Sequence, residues 1–272
     1  MICVLGDAHL DVVVAMSGPL SEETDTPART HVGAGGQAAN VAAWVTALGG
    51  RSRLIAARGT DLGADLVSTQ LKRRGVELAG PILPGNTGVV VSLSSGGRLR
   101  SMLTDRGVGT SLSADDIRPD WLDGCDWLHL SGYALAHEPM RSAAVAVATD
   151  AVRRDVRLAI DLSSTAMIES IGVASFRELI ASIRADVIFG TEAEAALLSL
   201  DGSDGRPGPG QLIVKLGAEG VRVGGRHFPA APTVPVDSTG AGDAFAAGYL
   251  LGGVELGLAA AARAVAKMGA MP

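Results

Sequence analysis

The chain has 272 residues, of which 47% are hydrophobic and 19% charged, and this composition excludes a disordered protein. The length suits one large α/β domain or two small ones, each with a sizeable core. The formal net charge of −6 provides no basic surface for nucleic acid or an anionic membrane, so we expect neither partner.

The N-terminal run MICVLGDAHLD lacks the basic segment of a signal peptide and reaches a charged residue, Asp7, too early. No uncharged apolar run attains the ~18 residues that a membrane span needs. The sequence therefore predicts a soluble cytoplasmic protein.

Short apolar runs alternate along the chain with amphipathic segments. The runs 2–6, 54–56, 127–130, 158–162, 187–189 and 212–216 are typical of buried parallel strands. Helical periodicity is found at 37–48, 62–74, 140–154, 173–184 and 244–251. This alternation predicts a central parallel sheet covered by helices on both faces.

Two segments interrupt the alternation. Residues 21–32 are polar and extended, and residues 87–104 read as a hairpin that turns at 95–97. Neither has the pattern of a crossover helix, so we expect both to leave the main sheet and form a small flap. Residues 199–210 are rich in Gly and Pro and predict a loop.

The chain has two cysteines, Cys3 and Cys125, far apart and in apolar surroundings. We interpret them as two buried thiols, since a disulfide framework or a zinc site needs closer spacing and more ligands. The five histidines contain no H-x-x-x-H pair, so the sequence predicts no metal site built on histidine.

A first glycine cluster, Gly33 to Ala38, fits the dinucleotide fingerprint G-x-G-x-x-A. That fingerprint should follow a buried strand directly, whereas the residues before it are the polar run DTPARTHV. The acidic residue expected at the end of a second strand is also missing. An NAD-dependent oxidoreductase is therefore the weaker of the alternatives.

A second glycine cluster, DSTGAGDAF, begins at residue 237 and leads into a predicted helix. The backbone N–H groups of Gly240, Ala241 and Gly242 then form a nest at a helix N-terminus, which suits a phosphate. Asp243 has two interpretations. It caps the helix, or it acts as a general base that takes a hydroxyl proton while the oxygen attacks the γ-phosphate of ATP.

The run DSTGAGDAF is similar to the C-terminal signature of the ribokinase (PfkB) family of carbohydrate kinases, and GAGGQAANVAAWVTALGG resembles its N-terminal signature. The resemblance covers essentially the whole chain. It implies one domain, 1–272, with a ribokinase-like three-layer α/β/α fold and lid segments at about 14–34 and 86–105. The activity it implies is ATP-dependent phosphorylation of a primary hydroxyl of a small sugar or nucleoside, with Asp243 as base and with Mg²⁺.

The resemblance also implies roles for individual residues. The sugar site would contain Asp11, Gly35, Gly36 and Asn40, with Arg106 or Arg100 available for an acidic or phosphorylated substrate and Asp7 as a structural neighbour. The nucleotide side would contain Thr191, Lys215, Gly217, Gly220, Thr239 and Gly269. Glu194 would organise Mg²⁺ through water, and Asp237 is the candidate for a monovalent cation such as K⁺.

Several features depart from the family pattern. Thr191 replaces the usual Asn of N-x-x-E, residues 200–212 are shortened, and the run that begins at Asp161 lacks Asp-Pro-Asn-x-Arg. The last departure argues against a keto-deoxy sugar acid. These features keep open a non-catalytic sugar- or nucleotide-binding regulator on the same fold. Exposed flap strands favour a homodimer through the lid.

Overall fold

A computed structural model describes residues 1–95, 99–200 and 210–272. Its strands are β1 (Ile2–Leu5), β2 (His9–Met16), β3 (Ala28–Gly35), β4 (Ser52–Ile55), β5 (Glu77–Ala79), β6 (Thr87–Ser95), β7 (Leu99–Gly107), β8 (Trp127–Ser131), β9 (Arg157–Asp161), β10 (Val187–Thr191), β11 (Gln211–Lys215), β12 (Val221–Val223) and β13 (Arg226–Phe228). Its α-helices are α1 (Gln37–Ala47), α2 (Leu62–Arg73), α3 (Met140–Arg153), α4 (Thr165–Ile171), α5 (Val173–Ile183), α6 (Glu192–Leu197), α7 (Ala241–Gly252) and α8 (Val254–Val265).

The main sheet has the strand order β13-β12-β11-β10-β9-β8-β1-β4-β5 within the described ranges. The strands from β11 to β5 in that order pair in parallel, while β12 and β13 add an antiparallel edge. Each apolar run expected to be a buried strand forms one, because its side chains are covered on both faces of the sheet. The predicted parallel sheet is confirmed.

The alternation of side chains along β1 divides the core into two layers. Cys3 and Leu5 pack with α3 and α5 on one face of the sheet, whereas Ile2 and Val4 pack with α1, α7 and α8 on the other. Two helical layers around one sheet give the three-layer α/β/α arrangement that the sequence predicts. No described helix is long and apolar enough to cross a membrane.

A second, four-stranded sheet has the order β3-β2-β6-β7. In it, β2 pairs antiparallel with β3 and parallel with β6, so that Asp11 lies opposite Gly33 on one side and Val90 on the other. The sequence did not indicate β2, which begins at His9 and has its side chains half-buried along its whole length. We refer to β2, β3, β6 and β7 as the lid.

Two predicted segments lie partly outside the described residues. They are residues 96 and 97 of the hairpin turn predicted at 95–97 and most of the loop predicted at 199–210.

The expectation of two buried thiols is wrong in the structure. Cys3 and Cys125 form a disulfide with their Cα atoms 6.0 Å apart. The residues are 122 positions apart in sequence, which concealed their proximity. The fold brings them together because Cys3 is on β1 and Cys125 precedes β8, the strand that pairs with β1 in parallel.

Candidate active site

The carboxyl ends of the parallel strands meet at one edge of the main sheet. Charged or hydroxyl-bearing side chains stand at these ends: Asp7 after β1, Ser131 on β8, Asp161 on β9, Thr191 on β10 and Lys215 on β11. In open parallel sheets, this edge is where ligands bind. The helices α1 and α7 also begin here, each preceded by one of the two glycine clusters.

Both glycine clusters need glycine for steric reasons. Gly36 precedes α1 with φ 108°, and a Cβ there would lie 2.6 Å from the Asp7 carbonyl oxygen. Gly240 precedes α7 with φ 74°, and a Cβ there would lie 2.6 Å from Cα of Ala270. These positive φ angles and close backbone approaches exclude other residues and bring the two helix starts to the same edge.

A hydrogen bond joins the two helices. Nδ2 of Asn40, in the first turn of α1, donates to Oδ2 of Asp243, in the first turn of α7, over 2.8 Å. Asn40 is only 6% exposed, and its Oδ1 atom is buried without a partner among the described residues. A buried acceptor without a donor is costly, so this amide has spare capacity for a hydroxyl group of a ligand.

The surroundings of Asp243 change its acidity. Burial raises the pKa of this carboxyl, the hydrogen bond from Asn40 lowers it, and the nearby Asp161 raises it again, so that the pKa reaches about 7. A carboxyl with that pKa exchanges a proton near neutral pH, which is the range required of a general base. This environment favours the base interpretation of Asp243 over simple helix capping.

Lys215 forms an ion pair at the same edge. Its Nζ lies 2.7 Å from Oδ2 of Asp161, which is 1% exposed. Burial lowers the pKa of Lys215, but Asp161, with further contributions from Glu194 and Asp243, raises it above its ordinary value. A Cβ on Gly242 would lie 3.3 Å from this Nζ, so the ammonium stands beside the N-terminus of α7.

A cavity of about 510 Å³ opens next to Lys215 and Gly242. Its lining includes the turn after β11, the segment that precedes α7, and one side of α8. Representative lining residues are Gly217, Gly220, Pro232, Phe245, Leu258 and Val265. A largely apolar cleft of this size with a cation at one end suits a ligand that has a flat apolar part and an anionic part.

The predicted magnesium residue Glu194 is engaged in a helix cap. Its Oε2 accepts from the Thr191 backbone N–H at 2.8 Å, while the Glu194 N–H donates to Oγ1 of Thr191 at 3.3 Å. This reciprocal pair is a capping box at the start of α6. The hydroxyl that replaces the usual Asn therefore has a structural role, for which the T-x-x-E spacing of Thr191 and Glu194 was the available sequence signal.

Asp237 holds the loop before α7 to the chain near the C-terminus. Its Oδ1 accepts from the backbone N–H and the hydroxyl of Thr239, and its Oδ2 accepts from the N–H of Gly269 at 2.9 Å. Three residues predicted to face the nucleotide or a cation are thus joined in one network. This network fixes Gly240 relative to the neighbouring Ala270.

On the lid side of the site, charged side chains form a chain of alternating sign. Nδ1 of His9 lies 3.5 Å from Oδ2 of Asp7, and Nε2 of His9 lies 3.0 Å from Oδ1 of Asp11. Arg106 completes the chain, with Nη1 3.4 Å from Asp7. A Cβ on Gly35 would lie 2.2 Å from the Asp11 carboxylate, so only glycine leaves room for Asp11 at this place.

The sequence pattern of the pfkB family carbohydrate kinases matches residues 1–271. The chain belongs to the pfkB family of carbohydrate kinases. The prediction of a carbohydrate or nucleoside kinase is therefore confirmed, and the dinucleotide oxidoreductase is set aside.

Relatives of this pfkB chain include characterised kinases and solved structures. A fructokinase from Klebsiella pneumoniae is 33% identical over 278 residues, covering 92% of this chain and 83% of the relative. The fold matches the adenosine kinase from Sinorhizobium meliloti with a TM-score of 0.86 at 23% identity, covering 100% of this chain and 95% of the other. It also matches a putative ribokinase II from E. coli in complex with ATP and Mg²⁺, with a TM-score of 0.85 at 22% identity and coverage of 99% and 94%. These likenesses confirm the ribokinase-like fold.

The predicted residues of the pfkB chain fall into two groups. The residues predicted to contact the sugar lie around the start of α1: Asp11, Gly35, Gly36, Asn40 and Arg106. Of the residues predicted to contact the nucleotide or its phosphates, Lys215, Gly217, Gly220 and Gly242 line the cavity of about 510 Å³. Asp243 lies where the groups meet.

Sequence reasoning gave no role to His9 or Asp161. A histidine between two aspartates directly after the first strand was the available signal for His9, and an aspartate that ends a buried strand was the signal for Asp161.

Proposed function

We propose that the protein transfers the γ-phosphoryl group of ATP to a primary hydroxyl of a small sugar or nucleoside, with Asp243 as the base. The observation that carries the proposal is the hydrogen bond between Asn40 and Asp243, which joins the two helices that follow the glycine clusters. The fructokinase and adenosine kinase relatives act on a sugar and a nucleoside, which supports this acceptor class.

The proposed reaction is an in-line displacement. The acceptor oxygen attacks the γ-phosphorus, the bond to the bridging oxygen of the β-phosphate breaks, and ADP leaves. Asp243 takes the hydroxyl proton, for which its pKa of about 7 is suited. The N–H groups of Gly240, Ala241 and Gly242 face the developing charge, although the N–H of Ala241 also donates to the Ser238 carbonyl oxygen at 3.3 Å.

ATP as the phosphoryl donor fits the large cavity. The apolar walls near Phe245 and Leu258 suit an adenine ring, and the turn from Gly217 to Gly220 borders it. Lys215 stands at the end near α7, where its ammonium compensates phosphate charge. Thr239 and Gly269 contribute by holding the loop that starts α7, through Asp237.

Magnesium would enter with the phosphates of ATP. No group of three or more candidate metal-binding side chains exists among the described residues. Mg²⁺ does not need such a group, because it keeps several of its waters and is held by substrate phosphates together with one or two carboxylates. Glu194, at the same edge, is the residue that would hold it, through water. When bound, Mg²⁺ neutralises charge on the phosphates. Potassium at Asp237 stays a prediction, since the oxygens of this carboxylate already accept hydrogen bonds from Thr239 and Gly269.

The acceptor would lie between Asn40 and the lid. The unpartnered Oδ1 of Asn40 and the Asp11 carboxylate offer acceptors for hydroxyl groups, and Gly35 and Gly36 allow close backbone approach. Arg106 lies at the rim, with its side chain 32% exposed. Closure of the lid over this site would exclude water and limit hydrolysis of ATP.

The experiment is ADP release from Mg-ATP across a panel of sugars, sugar acids and nucleosides. We expect strong turnover with one acceptor class, and Asp243→Asn should lower kcat by roughly 10²–10⁴-fold, the usual contribution of a general base. Asp61→Asn is the matched control, because Asp61 caps α2 outside the site and Asn caps equally well. Unchanged turnover in Asp243→Asn would refute the proposed base. Binding of sugar and ATP without any turnover would favour the non-catalytic alternative.

A homodimer through the lid is a separate prediction. Val32, Met102 and Leu103 on the lid strands are 44%, 56% and 59% exposed, an apolar surface that pairing of two lids would cover. A molar mass near 27.6 kDa in light scattering would refute it.

A further inference from the structure

Two carboxylates of the lid side are connected by one histidine. His9 is the first residue of β2, and its ring lies between Asp7, in the connection after β1, and Asp11, further along β2. Each ring nitrogen faces a different carboxylate, at 3.5 Å and 3.0 Å. The His9 side chain is 13% exposed, so the contacts are sheltered from water.

Two carboxylates facing one ring favour its charged form. A neutral imidazole has one N–H, and it can donate to only one of two carboxylates, whereas the imidazolium donates to both. Burial lowers the pKa of His9, but the hydrogen bonds and charges of Asp11 and Asp7 outweigh it and raise the pKa to about 9. His9 is therefore a cation at neutral pH.

The two carboxylates differ in how many protein partners they have. Both oxygens of Asp7 have partners within the protein: Oδ1 accepts from the Ala38 N–H at the start of α1, and Oδ2 faces both His9 and Arg106. Asp11 is less engaged. Its Oδ1 faces His9, and its side chain remains 25% exposed. His9 thus links a fixed carboxylate to one that is open to a ligand.

We propose that His9 is a positioning residue which holds the Asp11 carboxylate in the orientation that receives hydroxyl groups of the acceptor. This inference rests on the proposed function. Without the His9 ring, Asp11 would be free to rotate and would face the Asp7 carboxylate with no cation between them. Binding of the acceptor would weaken, while ATP binding and the phosphoryl transfer step, at Asp243, would be affected far less.

Kinetics of His9→Gln test the positioning role. We expect the KM for the acceptor to rise about tenfold, with kcat within a few-fold of wild type and the KM for ATP unchanged. His31→Gln is the matched control, because His31 is an exposed histidine on the adjacent lid strand β3, and it should behave as wild type. An unchanged acceptor KM in His9→Gln, or an equal loss of kcat with every substrate, would overturn the inference.

A second measurement keeps the inference separate from the proposed function. NMR titration of the histidine rings, with His9 assigned by its loss in His9→Gln, needs no substrate. We expect a midpoint near pH 9 in the wild type and a lower one in Asp11→Asn. A wild-type midpoint near the ordinary value of about 6.5 would overturn the inference. No turnover by the wild type with any acceptor would refute the kinase proposal and the acceptor role of His9, while the titration would still report whether the bridge exists.

Discussion

The starts of α6 and α7 look alike in sequence and differ in chemistry. Each helix has an acidic residue at its third position, Glu194 in α6 and Asp243 in α7, and both helices begin at the carboxyl edge of the sheet. Glu194 accepts a hydrogen bond from Thr191 of its own helix start, whereas Asp243 accepts one from Asn40 of another helix.

The residue before each helix explains the difference. Thr191 caps α6 with its side chain and completes a reciprocal pair with Glu194. Gly240 precedes α7 with a left-handed backbone (φ 74°, ψ 3°), whereas Thr191 has an extended one (φ −79°, ψ 168°), and α7 has no capping box at its start. The carboxylate of Glu194 is therefore held by its own helix start, whereas the carboxylate of Asp243 is held by a different helix. Three changes test this comparison.

The largest effect concerns the pH dependence of activity. If Asp243, whose pKa is about 7, is the proposed base, kcat/KM should rise with pH up to about 7 and then level off. Below pH 7 it should fall about tenfold per pH unit. Removing the Asn40 hydrogen bond, which lowers this pKa, should move the rise to higher pH in Asn40→Ala.

The measurement is the pH profile of kcat/KM in both proteins, with the Asp61→Asn variant as control. A profile that is flat between pH 5 and pH 8, or an Asn40→Ala profile displaced to lower pH, would contradict the comparison. A weaker acceptor affinity in Asn40→Ala would lower the whole profile without changing its midpoint, so the two roles of Asn40 are separable.

The same pKa predicts a smaller effect on folding stability. Stability should fall with rising pH, whereas activity should rise. The carboxyl of Asp243 has a pKa near 3.8 when unfolded and about 7 when folded, so the folded state disfavours its ionised form. Stability is therefore lost as pH rises from about 4 to 7. Asp243→Asn removes this loss and should raise the free energy of unfolding at pH 8 by roughly 1–3 kcal/mol, with no gain at pH 4.

Urea unfolding of wild type and Asp243→Asn at the two pH values checks this expectation. A variant that is less stable than wild type at pH 8 would show that Asp243 is a cap like Glu194. Greater stability together with lost turnover is the pattern of a residue kept for function at the expense of stability.

The fold was predictable from sequence because buried strands and helices leave strong periodic signals. Each predicted strand of the main sheet forms within a few residues of its expected bounds, whereas the extended segment predicted at 21–32 forms a strand only from residue 28, where β3 begins. β2 was missed because its side chains are half-buried on both faces, so it shows no alternation. Its absence from the prediction also concealed that Asp11 lies on the lid.

The sequence provided candidate residues for the site through its two glycine clusters and the family resemblance, but not the contacts between those residues. Gly36 and Gly240 marked the two helix starts because no other residue fits there. The pairing of Lys215 with Asp161, the contact of Asn40 with Asp243, and the disulfide of Cys3 with Cys125 join distant parts of the chain. Such contacts depend on strand order, and one sequence contains no direct signal of strand order.

The smallest effect tests α6. Thr191→Ala removes the hydroxyl that caps the helix and should lower the free energy of unfolding by about 1 kcal/mol, whereas Thr191→Ser should retain it. Glu194→Gln should lie within about 0.5 kcal/mol of wild type, because Gln completes the same capping box. The measurement is urea unfolding of these variants. It includes Glu194→Ala and the double variant that combines Thr191→Ala with Glu194→Ala. The two hydrogen bonds of the box use different atoms, the Thr191 hydroxyl in one and the Glu194 carboxylate in the other, so each single variant should lose its own bond and the double variant should lose about the sum. An unchanged stability in Glu194→Ala would mean that the Glu194 carboxylate is not held at the start of α6, and the contrast between α6 and α7 would then need another cause.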